Sequence, residues 1–352
     1  MGTKSRNAPT LQDVADLAGV SLATASRALK SNQSVTPETR SRVLEAVATL
    51  DYRVLRTPRD RPRESGRFVV LASSIRHLAV AEIVAGVEAA SSEAGQATSV
   101  LLTGSDPALE VRGLERAAMI AGVEAVIVVG GTRTTAAWRE SVPRAIRTLT
   151  RRGVRVVFCG RALVDVDLPD VASVDYENRE GAAAAVSLLL GKGHRRIGLL
   201  RGPKGFSTSD ERSAGYEQAL RAFDVAPDPA LVADRVASGP SAAARATELL
   251  AEHPDITAVF ADNDSRAFGT LRAAYVQGLQ VPRDLSVVGF DDELSASISC
   301  PALTTVHTPF AELGRRAAQA ALGTDPELTP GQRLVLASHV VVRESVARVS
   351  AT

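Results

Sequence analysis

Over residues 10–50 the apolar positions recur every three or four residues in three short blocks, the spacing that lines one face of a helix. A capping residue precedes each block. Thr10 opens TLQD, where its hydroxyl can accept from the helix while Asp13 returns a bond to the Thr10 N–H, and the first helix is expected to run to about Leu17. Gly19, in Ala18-Gly19-Val20, supplies the positive φ of a tight corner. Ser21 caps a second helix over 22–29. Thr36 caps a third, with Pro37 in the first turn where a missing N–H costs nothing, and Val43, Ala46, Val47 and Leu50 then form one buried stripe.

The text RVLRTPRDRPRESGR, Arg53 to Arg67, carries almost nothing apolar after Leu55 and reads as a solvated linker. Beyond Phe68 short apolar runs alternate with amphipathic stretches. FVVLASS, TSVLLT, AVIVVGG and VRVVFCG are separated by predicted helices near 80–94, 107–121 and 137–152. A second series opens with ASVD and continues through RIGLLRG, LVAD, TAVFAD and LSVVGFDD, with helices near 179–191, 210–222, 240–252 and 265–277. Such alternation means parallel sheets wrapped by helices. The number of units fits two doubly wound subdomains with a cleft at the strands' carboxyl ends; one closed eight-stranded barrel is the rival. The predicted architecture is a small all-α helix-turn-helix head (1–52), a linker (53–67), an α/β core of two doubly wound parallel-sheet subdomains (68–346) and a short tail (347–352).

Composition changes this picture in three ways. The 352 residues, 45% hydrophobic and 23% charged, have room for two or three domains. No apolar run reaches the roughly 18 to 20 residues of a membrane helix and MGTKSRNAPT is no secretory signal, so a cytosolic protein is expected. Cys159 and Cys300 alone exclude a disulfide framework or CxxC metal site, and both are read as core fillers. The net charge of +1 conceals an asymmetry: the first 66 residues hold eleven Lys/Arg against seven acids, while the remainder is mildly acidic. A basic head on an acidic body points the head toward a polyanion.

In the helix-turn-helix plan the second helix lies in the major groove. Its leading residues here are Ser21, Leu22, Ala23 and Thr24, with Arg27 one turn on. The Arg27 fork matches O6 and N7 of guanine, whereas Leu22 and Ala23 offer apolar contacts such as those to thymine methyls. Ser26, Lys30 and Asn32 are placed for phosphates. An ordinary helical corner with solvated arginines is the alternative, and the basic excess decides for DNA.

The segment TLQDVADLAGVSLATASRALKSNQSVTPETRSRVLEAVATLDY resembles the DNA-binding head of the lactose/galactose repressor (LacI-type) family of bacterial transcription regulators. GHRRIGLLRGP, STSDERSAGY, AVFADNDSRAFG, VPRDLSVVGFDD and PALTTVHTP are similar, in the same order, to that family's effector-binding core. The resemblance implies a cytoplasmic, nucleoid-associated homodimer, a repressor by family habit, on a pseudo-palindromic DNA operator. Its core would resemble periplasmic sugar-binding proteins and hold a small molecule, a sugar or related metabolite, between subdomains. After Tyr52 the family usually carries a hinge helix whose leucine wedges into the minor groove; here Pro58 and Pro62 interrupt the stretch, and Leu55 is the one large apolar candidate. VVRESVARVSAT shows no leucine-heptad tail, so a dimer is expected rather than a tetramer.

For the body, the resemblance assigns Arg212 to gripping effector hydroxyls or carboxylates, a task suited to its fixed fork of donors; the alternative is a surface arginine paired with Asp210 or Glu211. Asn263 and Asp291 each end a predicted strand, where ligand-facing residues sit in open α/β sheets, with helix capping as the alternative. For Asp264 and Asp292 capping is the preferred reading. Ser73 matches a family pocket position, and Phe206 is read either as a platform for a ring face or as core. Gly160 stands where some family members carry an acidic ligand residue, and Leu78 and Val80 are expected at the cleft mouth. An α/β enzyme or binding protein without DNA function is the class-different alternative. GxxxxGK[ST], GxGxxG after a strand, GxSxG and HExxH are missing, and the five histidines have no ligand spacing, His194 reading as a turn residue before a strand. Neither cofactor nor metal is expected.

Overall fold

The computed structural model describes residues 10–29, 35–50, 66–161, 168, 170–234 and 241–349. The chain divides into two units, Met1–Glu64 and Ser65–Thr352.

The first unit is built from α1 (Leu11–Ala18), α2 (Leu22–Leu29) and α3 (Pro37–Thr49). The capping box closes both ways: Asp13 N–H donates to Thr10 Oγ1 at 3.3 Å and Thr10 N–H to Asp13 Oδ2 at 2.6 Å. The Thr10 hydroxyl, donating to Asp13 Oδ2 at 2.7 Å, and the Thr10 N–H together hold the Asp13 carboxyl below its usual range. Gly19 takes φ +62°, a left-handed conformation that costs a residue with a Cβ. Ser21 Oγ accepts from Thr24 N–H at 3.1 Å and Thr36 Oγ1 from Thr39 N–H at 3.4 Å, so all three starts are capped as the sequence predicts. Val14, Ala18, Ala28, Val43 and Ala46 make the small core; Val47 and Leu50 of the expected stripe are only half-buried against it. Lys30, Asn32 and residues 51–65, with Leu55, Pro58 and Pro62, lie outside the described residues.

The second unit begins with β1 (Arg67–Ala72), which takes Arg67 from the end of the expected linker. There follow α4 (Leu78–Glu93), β2 (Ala97–Leu102), α5 (Pro107–Ala117), β3 (Val123–Val129), α6 (Ala136–Thr150), β4 (Arg155–Cys159), β5 (Ala172–Tyr176) and α7 (Asn178–Gly191). Next come β6 (Ile197–Arg201), α8 (Ser207–Ala222), β7 (Val232–Asp234), α9 (Ala242–Glu252), β8 (Ala258–Ala261), α10 (Asp264–Val276) and β9 (Ser286–Val288). The chain ends with α11 (Leu294–Ile298), β10 (Thr305–His307), α12 (Phe310–Leu322), β11 (Arg333–Leu336) and β12 (His339–Val341).

Two parallel sheets result, ordered β11-β5-β4-β3-β1-β2 and β7-β6-β8-β9, with β10 and β12 as an antiparallel pair extending the second. In each sheet the strand order reverses beside its first strand, between β1 and β3 and between β6 and β8. Loops diverge there and leave a crevice at the carboxyl ends. The open-sheet pair replaces the barrel rival. Among described residues, no helix is long and apolar enough to cross a membrane.

Two expectations are corrected, and one stretch carried no prediction. ASVD belongs to the first sheet: β5 pairs with β4 through Phe158↔Ser173 and with β11 through Leu334↔Val174, so the chain changes sheets after Tyr176, not before Ala172. Cys300 is exposed, whereas Cys159 is buried, its thiol pushed upward by that burial. The elements after residue 292 escaped the periodicity, and α12 returns to the first half. It crosses α4 so closely that a Cβ on Gly314 would come within 2.0 Å of the Ile83 carbonyl oxygen, and one on Gly86 within 2.0 Å of that of Ala311. The reciprocal glycines permit backbone-to-backbone packing, while Phe310 and Leu313 sink into the core, worth roughly 1.5–3 kcal/mol each.

Candidate functional site

On α2, Ala25 and Ala28 turn into the three-helix core, which leaves Leu22, Ala23 and Arg27 exposed and Ser26 half-buried. Arg27 Nε donates to the Ala23 carbonyl at 3.1 Å; the two terminal nitrogens make no described bond. Ser21 and Thr24 share a 2.8 Å hydroxyl bond and serve the cap. The sequence-predicted reading face is thereby split: Leu22, Ala23 and Arg27 face solvent, and the hydroxyls at the helix start are engaged locally.

In the second unit the crevices of the two sheets face each other across a cavity of about 630 Å³, within the size range of small-molecule pockets. Ser73 after β1, Phe206 before α8, Asn263 after β8, Arg212 from α8 and Asp291 beyond β9 all line it, so the structure brings together the five residues expected to hold a ligand. Phe206 is half-buried on the wall rather than in the core. Val80 lines the cavity with Ala79 and Ile83; Leu78 does not, which corrects the expectation for that position.

Arg212 organises the site. It is 6% exposed, which overturns the surface-pair alternative. Nε donates to Asn178 Oδ1 at 2.9 Å, Nη1 to the Asp262 carbonyl, and Nη2 to both Tyr176 Oη at 2.8 Å and Asp291 Oδ1 at 2.9 Å. Its guanidinium carbon lies 3.7 Å from the Phe290 ring centroid, a stacked cation–π contact. Burial opposes this charge, and Asp291, Tyr176 and Asp262 more than restore it, holding the guanidinium above its usual range. Burial pushes the Asp291 carboxyl up to about 6, with Arg212 acting against it.

Asp291 has φ +108° and Asp292 φ +57°, two consecutive non-glycine residues in conformations that cost of order 1–3 kcal/mol each. The turn is held by Asp291 N–H donating to the Val306 carbonyl at 2.9 Å and by Asp292 bonding His307 Nδ1 at 3.0 Å and Arg343 Nη2 at 2.7 Å. Asp292 is therefore structural, but not a helix cap. Nor is Asp264: its carboxylate accepts from Thr305 Oγ1 at 2.5 Å and Glu293 N–H at 2.8 Å. Burial first and the Asp291 charge second push the Asp264 carboxyl up to about 8. The cap of α10 is Asn263, whose Oδ1 takes the Arg266 N–H at 3.0 Å, so both readings of Asn263 coexist: cap by oxygen, cavity wall by position.

Sequence reasoning passed over Tyr176, Asn178, Asp262, Phe290 and Phe310. Asp262 Oδ2 accepts from Gly202 N–H at 2.6 Å and Ser209 Oγ at 2.8 Å, fixing the start of α8 against β8. The signal was available: Asp262 stands in the quoted ADND, and Tyr176 occupies the carboxyl end of a strand. Gly160 (φ +77°) lines the cavity without a side chain. His194 is a buried turn residue bonded to Thr257 Oγ1 at 2.9 Å and the Ala347 carbonyl at 3.1 Å, as expected before a strand.

Comparison with known proteins agrees with the fold. The pattern of the lacI family of bacterial regulatory proteins matches residues 10–54, and that of a periplasmic binding protein-like domain matches residues 186–346. The chain is 35% identical over 347 residues to the HTH-type transcriptional regulator CelR of Thermobifida fusca, covering 97% of this chain and 99% of the relative. A solved transcriptional regulator CelR–cellobiose complex is 32% identical with a TM-score of 0.68, covering 96% of this chain and 99% of that one. The Lac repressor dimer bound to operator and the anti-inducer ONPF is 26% identical with a TM-score of 0.76, covering 97% and 100%. These relatives are transcriptional regulators rather than enzymes. The chain belongs to the LacI family of DNA-binding bacterial transcription regulators.

Proposed function

We propose that this protein is a cytoplasmic homodimeric repressor that docks two α2 helices into successive major grooves of a pseudo-palindromic operator, under control of a neutral sugar held between the two sheets. Leu22, Ala23 and Arg27 read base edges, while Ser21, Thr24, Ser26, Lys30 and Asn32 set the helix on the backbone. Ser73, Phe206, Arg212, Asn263 and Asp291 hold the effector, and no residue is assigned a catalytic role.

The observation that carries the effector reading is the Arg212–Asp291 pair, buried at the carboxyl ends of one sheet and facing Ser73 at the ends of the other. A neutralised acid–base pair beside aromatic walls suits hydroxyls, which donate and accept at once, better than a charged ligand, which would leave one partner unmatched. That a relative was solved as a CelR–cellobiose complex supports the same class and supplies the first probe. Sugar binding shifts the closure of the halves and so the relation of the two heads, a coupling typically about 5- to 150-fold in operator affinity.

The test is selection of operator sequences from random duplex DNA by the purified protein, followed by titration of the selected site with and without mono- and disaccharides. The expected result is a two-fold-related site whose affinity moves with at least one sugar. Absence of any preference over random competitor at moderate salt overturns the regulatory reading; a preferred site indifferent to every sugar overturns the effector class.

A further inference from the structure

We propose that Tyr176 is a ligand-contacting and positioning residue, its hydroxyl donating to an oxygen of the molecule in the cleft while accepting from Arg212. The inference deepens the effector reading above and rests on it. A guanidinium has five N–H groups. In Arg212 four are taken, by Asn178, the Asp262 carbonyl, Tyr176 and Asp291, which leaves a single Nη1–H for a ligand. The family's gripping arginine therefore offers far less than its fork suggests, and the remaining recognition falls to neighbouring groups.

Two of these have free capacity on the cavity wall. Asp291 Oδ1 is bonded to Arg212, with Oδ2 left to accept. Tyr176 Oη takes the Arg212 proton at 2.8 Å, and its own proton has no acceptor among the described residues. Arg212 Nη1–H, Asp291 Oδ2 and Tyr176 O–H, all from residues that line the cavity, thus offer a donor, an acceptor and a donor, the complement of hydroxyls on a sugar ring. The phenol keeps its proton at neutral pH, because burial holds its pKa near 12.

The placement of Tyr176 gives it a second role. It is the last residue of β5, in the first sheet, whereas Arg212, Asp262 and Asp291 belong to the second half. Its ring is fixed edge-on to Phe310 at 5.5 Å and tilted against Phe290 at 6.5 Å. A ligand bonded to this hydroxyl pulls on the first sheet and on Arg212 together, so occupancy and the setting of the halves are linked through one oxygen.

Calorimetry of the full-length protein with cellobiose, D-glucose and D-ribose, on wild type, Tyr176→Phe and Asp291→Asn, tests this. Phenylalanine keeps the ring contacts and removes only the hydroxyl. The expected result is binding of at least one sugar that weakens about three- to tenfold in Tyr176→Phe, the worth of one neutral hydrogen bond, with a smaller operator response at saturating sugar. Equal affinity and equal operator response, with a shift in melting temperature alone, mean a merely structural tyrosine and overturn the proposal, while loss of binding in Asp291→Asn leaves the effector reading standing. If wild type binds none of the three, the donated bond is overturned together with the sugar class. The accepted bond is then judged by hydrogen exchange of the protein alone, where faster exchange at the start of α7 and in α8 of Tyr176→Phe sustains it and superimposable exchange removes it.

Discussion

Arg212 Nη2 and Asp291 Oδ1 lie 2.9 Å apart, one group from a helix start and the other from a strained turn beyond β9, both almost wholly withdrawn from solvent. The Asp291 carboxylate is not tolerable there without Arg212, because an isolated ion in such a setting loses its hydration with nothing in exchange, whereas Arg212 keeps the oxygens of Asn178, Asp262 and Tyr176 and the Phe290 ring when Asp291 is neutralised. Stability and ligand recognition therefore share the same two side chains.

That sharing dictates how the pair is probed. Arg212→Ala is expected to destabilise the second unit by about 3–5 kcal/mol, since it strands a buried carboxylate, and its loss of ligand response would be uninformative. Asp291→Asn keeps shape and one acceptor. It should fold, bind operator as wild type does and lose the calorimetric response to sugar; an unchanged response removes Asp291 from the effector site.

Asp264 makes the stability of the protein depend on pH. Its carboxyl titrates near 8 in the folded chain against about 3.9 unfolded. A raised pKa contributes stability that is full below the unfolded value and declines as pH rises through the folded one. Wild type should therefore lose stability relative to Asp264→Asn between about pH 4 and pH 8, while the Asp291 carboxyl, raised to about 6 and common to both proteins, enters the absolute profiles rather than their difference. Urea unfolding of both proteins at pH 5, 7 and 8.5 measures this, and parallel profiles contradict it.

Arg27 provides a base-specific prediction for the head. With its terminal nitrogens outside the helix and Nε held by Ala23, the fork is directed outward. Arg27→Ala should cost about 1–3 kcal/mol of operator affinity and relax the preference at one base per half-site. Binding-site selection with the variant reads this directly: an identical base preference would show that Arg27 reads no base.

The crossing of α4 and α12 has no slack. Gly314→Ala places a methyl group against the Ile83 backbone carbonyl, which no side-chain rotation relieves. The expected cost is at least the roughly 1–3 kcal/mol of an overpacked core, read as a lowered thermal midpoint. Gly191→Ala, at the end of α7 with nothing near its Cβ position, is the control and should leave the midpoint little changed.

Much of this protein was written in local sequence. The caps at Thr10, Ser21 and Thr36, the corner at Gly19 and the strand–helix alternation through Val288 follow from interactions spanning a few residues, which periodicity and side-chain chemistry reveal. So did the cavity-lining positions of Ser73, Asn263 and Asp291, because carboxyl ends of parallel strands converge wherever strand order reverses.

What the local pattern left open was membership and pairing. ASVD reads identically whether β5 joins one sheet or the other, and only its pairing with both β4 and β11 places it. α12 belongs to the first half because two glycines, 228 positions apart by the numbering of Gly86 and Gly314, remove their bulk at the same point in space. The burial of Arg212, its choice of Asp291 over Asp210 or Glu211, and the participation of Tyr176 and Asp262 arise in the same way. Local order is set by neighbours along the chain, whereas desolvation and charge pairing depend on which distant residues the folded backbone brings within about 3 Å.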